Sequence, residues 1–181
     1  MDMDLPRRSD LAKYWQLDKN TVFLNHGSFG ATPIEILNKQ DIYRQKIEKD
    51  PVKFFERDYV DYWKKSIISL SEFINANPEG LVFIPNATSG VNTVLKNLDL
   101  KPGDQIIVTD HTYQACRNIV DFVTKKMDAE TVVVEIPFNV RNEQEVVDLV
   151  LNSVCDRTVL ALIDTVTSPT GMKMPFEKII K

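Results

Sequence analysis

Residues Phe83 to Leu98 read FIPNATSGVNTVLKNL, and the stretch changes character halfway. Phe83 and Ile84, with Leu81 and Val82 before them, make the short apolar run expected of a buried strand, LVFIP. Val91, Val94, Leu95 and Leu98 then recur at the spacing of one helix face. Between the two lie Asn86, Ala87, Thr88, Ser89 and Gly90, all small or hydrogen-bonding. A strand that feeds a helix through such residues makes an anion site. The first-turn N–H groups have no intrahelical partners, and the helix dipole adds roughly half a positive charge there. Ala87 and Gly90 permit close approach to the backbone, and the Thr88 and Ser89 hydroxyls can donate to phosphate oxygens. Asn, Thr and Ser are also the usual cap residues, so the segment alone leaves capping and anion binding both open. No Gly-Lys-Ser/Thr follows and no GxGxxG is present, which disfavours a nucleotide but not a single phosphate.

Downstream, strands and helices alternate. QIIVTD reads as a strand, Tyr113 to Met127 as a helix with Cys116, Ile119, Val120 and Val123 on one face, and TVVVEIP as a strand. Glu143 to Val154 reads as a helix, VLALIDTV as a further strand, SPTGMKMP as a loop, and Phe176 to Lys181 as the start of another helix. Continuous β-branched strands alternating with helices predict a mainly parallel sheet covered on both faces, an α/β fold in three layers.

Upstream the pattern is helical and heavily charged from Pro33 to about Asn75, and Pro51 divides it into two helices. Phe54, Phe55, Tyr59, Tyr62, Trp63, Ile67 and Leu70 form an aromatic-rich stripe on the second, expected in a core or a subunit interface. Three segments follow: an N-terminal arm and loop (1–32), a helical segment (33–78) and a partial α/β domain (79–181).

The chain has 181 residues, 43% hydrophobic and 27% charged, the balance of a globular protein with a real core. A net charge of −4 gives no electrostatic reason to bind nucleic acid or an anionic membrane. The N-terminus lacks the apolar region of a secretory signal, and no run reaches the ~20 apolar residues of a membrane span, so a cytoplasmic protein is expected. Cys116 and Cys155 are both expected as reduced core thiols, and no Cys/His cluster suggests a metal.

Two further strand ends carry polar groups: Asp110, His111 and Tyr113 after QIIVT, and Asp164, Thr165, Thr167 and Ser168 after VLALI. An N-terminal loop holds Asn25, His26, Gly27, Ser28 and Gly30. Together LNHGSFGATP, NATSGVNTVL, VTDHTYQACRN and DTVTSPTG resemble, in order and spacing, the class V aminotransferase family. The closest likeness is to its isopenicillin N epimerase-like and cysteine desulfurase/lyase branch. The likeness runs from about Leu24 to Gly171.

The resemblance implies the large domain of a fold type I enzyme that uses pyridoxal 5′-phosphate. It implies that Ala87, Thr88 and Ser89 bind the cofactor phosphate. His111 would stack on the pyridine ring as the catalytic-site imidazole, with Tyr113 the fallback if the register slips by two. Ser168 would contact the phenolic oxygen in place of a common asparagine, and His26, Gly27 and Ser28 would line the substrate side. Thr165 departs from a histidine common among relatives. The Schiff-base lysine, the acid beside the pyridinium nitrogen and the carboxylate-binding arginine are expected on later strands. Lys173, Lys178 and Lys181 follow the loop too closely to serve. The expectation is therefore the N-terminal portion of a longer enzyme, inactive alone.

The parent would act on a small amino acid substrate, as a β-lyase or desulfurase, or by epimerisation or transamination, and as a homodimer. The alternatives are a non-catalytic short paralogue acting as a dimerisation module, and a plain phosphate-binding α/β module.

Overall fold

In a computed structural model, residues 7–181 are described. The chain divides into two compact units, one ending at Val82 and the other running from Phe83 to Lys181. No helix among the described residues is long and apolar enough to cross a membrane.

The first unit is helical. A 3₁₀ turn, Asp10–Tyr14, is capped by the Ser9 side chain. Helix α1 spans Ile34–Lys49, and α2 opens at Pro51–Lys53 where the Asp50 carboxylate accepts the Lys53 N–H. The break expected at Pro51 is there, and its cause is local: proline cannot donate, while aspartate caps the next turn. The second helix then passes through a π-helical segment, Phe54–Asp58, before α3, Tyr59–Ile74. Asn75 ends α3 in the left-handed conformation (φ 53°). The aromatic stripe splits. Phe54 and Ile67 are buried, whereas Phe55, Tyr59 and Trp63 are exposed.

At the boundary between the two units the expected strand over residues 81–85 does not form: the segment has no regular secondary structure. Strand β1, Gln105–Thr109, already has β2, Glu130–Val134, on one side and β3, Thr158–Leu162, on the other. The outer edges of β2 and β3 stay open, and residues 81–85 pair with neither. Both pairings are parallel, with Gln105 opposite Glu130 and Thr109 opposite Val134.

Three helices cover the sheet: α4, Ala87–Lys96, α5, Gln114–Lys126, and α6, Glu143–Leu151; a short α7, Phe176–Ile179, follows the last loop. Alternation along β1 builds two cores. Ile106 and Val108 face Leu95, Ile119, Val120 and Val123 of α4 and α5. Ile107 faces Val134, Ile136, Val146, Val150 and Met174. All three β1 residues are 0% exposed, the burial expected of a central parallel strand.

The cysteines part company. Cys116, on α5, is buried, and burial first and the Asp164 carboxylate second push its thiol up. Cys155 is exposed at the turn into β3 rather than in the core. There the Arg157 backbone N–H, and after it the Thr158 hydroxyl, hold its thiol below the ordinary value. The reason is position: the apolar periodicity of α6 stops before residue 155, and the thiol reaches the sheet margin, 3.3 Å from Gln105 Oε1.

Two outcomes follow from this packing. Ile107→Ala should lower stability by about 2–5 kcal/mol, the range for deleting a buried aliphatic side chain, while Val159→Ala on the half-exposed edge should cost much less; urea unfolding midpoints compare them. In the native chain, iodoacetamide should alkylate Cys155 alone, with a rate that rises at a lower pH than for an ordinary thiol, and Cys116 only after denaturation. Mass spectrometry of the quenched protein reads both.

Candidate functional site

The start of α4 is a capped helix with donors to spare. Asn86 is extended (φ −165°), and its side chain accepts the Ser89 N–H at 2.8 Å. The Gly90 N–H goes to the Asn86 carbonyl at 3.2 Å. Among the described residues, the N–H groups of Ala87 and Thr88 and the hydroxyls of Thr88 and Ser89 have no protein partner. Of the two readings the sequence left open the cap is observed, in Asn86, and the remaining donors on the first turn are unspent. A phosphate needs that set, several N–H and O–H donors at the positive end of a helix, so the residues present fit one. Gly90 has a different purpose. A Cβ there would meet Ile84 Cδ1 at 2.6 Å, so the glycine makes room for the apolar segment before the helix, not for a ligand.

The connection Asn97–Asp104 returns the chain from the end of α4 to the start of β1, and α4 packs on α5. By this topology α4 begins at the edge of the sheet where the parallel strands finish, the edge at which α/β sheets bind ligands.

At the end of β1 a tight turn fixes the next groups. The Thr112 hydroxyl accepts the Thr109 N–H at 3.0 Å, and the Thr112 N–H returns to the Thr109 carbonyl at 3.1 Å. Asp110 donates its N–H to the Val134 carbonyl and accepts the Ile136 N–H at 2.9 Å, tying the exits of β1 and β2 together. His111 is thereby turned inward and is only 8% exposed. Its Nδ1 lies 3.0 Å from Thr170 Oγ1, and its Nε2 lies 3.8 Å from Asp110 Oδ1. Tyr113, the fallback residue, is 46% exposed. Its backbone N–H, at the start of α5, is held by Asp164 Oδ2 at 3.1 Å.

Past β3 the chain folds into a small hairpin. Val166 bridges Lys173, and the Met174 N–H reaches the Thr165 carbonyl at 2.9 Å. Thr167 is buried and bonds Met172 through backbone and side chain alike. Gly171 closes the turn in the left-handed region (φ +65°), where a side chain would be strained, and its N–H meets the Thr167 carbonyl at 2.9 Å. Ser168 is exposed in that turn, and Thr165, where relatives were expected to carry histidine, is exposed too. The sequence reading missed Thr170. Nothing near it in sequence marks it, because its partner His111 lies 59 positions away.

His26, Gly27 and Ser28 belong to the other unit. Asn25 organises their turn: its side chain accepts the Ser28 N–H at 3.3 Å and its carbonyl the Phe29 N–H at 3.1 Å. The His26 ring meets Phe23 and Trp15 edge-on, with centroids 4.7 and 6.0 Å away. In unit two, Lys178 pairs with Glu143 and holds that carboxyl below its usual range.

Known proteins share this arrangement of elements. The chain is 24% identical over 178 residues to hercynylcysteine sulfoxide lyase of Schizosaccharomyces pombe, which covers 95% of this chain and 44% of the yeast protein. It is 26% identical over 159 residues to isopenicillin N epimerase of Streptomyces clavuligerus, covering 88% of this chain and 40% of that one. A solved structure of a mutant of C-DES, with glycine covalently linked to its PLP cofactor, superposes with a TM-score of 0.85 at 19% identity, over 93% of this chain and 44% of that one. The likeness shows the fold. The chain spans less than half the length of these relatives. The aminotransferase class-V profile matches residues 61–181, and the chain belongs to that family.

Proposed function

We propose that this chain forms the cofactor-phosphate side of a pyridoxal 5′-phosphate enzyme that acts on an amino acid, of the β-lyase or desulfurase kind. The observation that carries the reading is the start of α4, where Ala87, Thr88 and Ser89 keep free donors after Asn86 has capped the helix. Pyridoxal phosphate, when bound, supplies an electron sink for charge developing at the substrate α-carbon.

The rest is done by side chains and backbone. The Ala87 and Thr88 amides and the Thr88 and Ser89 hydroxyls bind phosphate oxygens and fix one end of the cofactor. The His111 imidazole is nearly buried and tethered at Nδ1; it would stack on the pyridine ring and exclude water from that face. The exposed Ser168 hydroxyl donates to the phenolic oxygen. We assign no lysine of this chain to the cofactor. Lys178 is engaged by Glu143, and Lys173 sits at the bridge that closes the hairpin.

The choice of a lyase follows the sulfoxide lyase and the cystine C–S lyase among the similar proteins; the isopenicillin N epimerase favours epimerisation as the second reading. The substrate-side assignment of His26, Gly27 and Ser28 rests on the sequence resemblance alone. Self-association into a homodimer is supported by the exposed aromatics Phe55, Tyr59 and Trp63. The two free thiols fit a reducing, cytoplasmic setting. A non-catalytic dimerisation module remains the alternative, favoured by that same aromatic surface.

Two substitutions separate phosphate binding from capping. Thr88→Ala should weaken binding of pyridoxal phosphate by about 1–3 kcal/mol, roughly 5- to 150-fold, with little change in unfolding midpoint. Asn86→Ala should instead lower stability by about 1 kcal/mol through loss of the cap. Equilibrium dialysis and urea titration of both variants measure this. Unchanged affinity in Thr88→Ala would return the whole junction to a cap.

A further inference from the structure

The hydrogen bonds around His111 form a chain in which each hydroxyl has one hydrogen to place. The Thr167 hydroxyl oxygen accepts the Met172 N–H at 2.9 Å, so its own hydrogen must find an acceptor elsewhere. Two are in reach. The Met172 carbonyl is 3.3 Å away and already receives the Thr167 N–H at 2.9 Å; Thr170 Oγ1 is 2.7 Å away. The shorter contact takes the hydrogen. Thr170 Oγ1 then accepts from Thr167, and the protein neighbour left to take its own hydrogen is His111 Nδ1 at 3.0 Å. A ring nitrogen that accepts carries no proton, which leaves the proton on Nε2.

The other side of the ring gives the same answer independently. Asp110 Oδ1 is fixed by the Ile136 N–H at 2.9 Å and lies 3.8 Å from Nε2. A carboxylate at that distance favours an N–H facing it over a lone pair.

We propose that Thr170 is a positioning residue which, oriented by Thr167, donates to Nδ1 of His111 and holds the ring as the Nε2–H tautomer. It acts only through His111, so its place in catalysis rests on the stacking role proposed above. An imidazole tied at Nδ1 cannot flip about its Cβ–Cγ bond without breaking the tether, so the face it offers is fixed. The hairpin that carries Thr170 also carries Ser168.

The chain has only two histidines, His26 and His111, which makes a direct measurement simple. Long-range ¹H–¹⁵N spectra of the labelled 181-residue chain, without cofactor at neutral pH, report which ring nitrogen bears the proton; His26→Gln assigns the signals. The wild-type His111 should show the Nε2–H pattern. Thr170→Val should lose it in favour of Nδ1–H or a mixture, and Thr170→Ser should restore it. An Nδ1–H pattern or a doubly protonated ring in the wild type would overturn the proposal without recourse to any variant. So would an unchanged tautomer in a folded Thr170→Val. Pyridoxal phosphate is then added. If the tautomer pattern stands but the His111 signals ignore the cofactor, the hydrogen-bond assignment is supported and the stacking role alone falls.

Discussion

Everything in the second unit hangs on the complete burial of β1. Ile106, Ile107 and Val108 send side chains alternately to the two faces of the sheet, and each face meets its own set of helix residues. A strand enclosed this way has one register and one direction, since a slip by one residue would exchange its two faces. The turn after Thr109 is consequently delivered to a fixed place. Asp110 and His111 inherit their positions from apolar residues that take no part in chemistry.

Around that strand, polar contacts of long sequence span complete the edge. Asp110 fastens β1 to the exit of β2 through Ile136, Asp164 fastens the end of β3 to the start of α5 through Tyr113, and Thr170 fastens the last hairpin to His111. Each carboxylate or hydroxyl satisfies a backbone or ring group that the strand ends would otherwise leave unpaired. The α4 start is the exception. There one side chain satisfies one amide, and the N–H groups of Ala87 and Thr88 have no protein partner among the described residues.

Much of this was legible in the residues. Strands β1, β2 and β3 and the helices between them follow from β-branched runs and helical periodicity, and Asn86 announces its cap by type and place. Three features were not legible, each because it depends on something remote. Leu81–Pro85 has the composition of a strand, but pairing requires a neighbour that composition does not mention. Cys155 lies next to an apolar stretch, yet its exposure is decided by where the turn into β3 meets the sheet margin. The tether from Thr170 to His111 joins two residues whose local sequences give no hint of each other. Gly90 was legible as a requirement for space, though the occupant is Ile84 rather than a ligand.

The span of those ties bears on how such an edge comes into being. A group whose partner lies 59 positions ahead cannot be set while the chain is still being made up to that point, and the β1–β3 pairing of Gln105 with Thr158 waits for nearly as much chain. The ring of His111 gains its tether only once residue 170 is in place. Any molecule that recognises the settled ring selects finished chains from unfinished ones and, by mass action, draws the folding equilibrium towards completion.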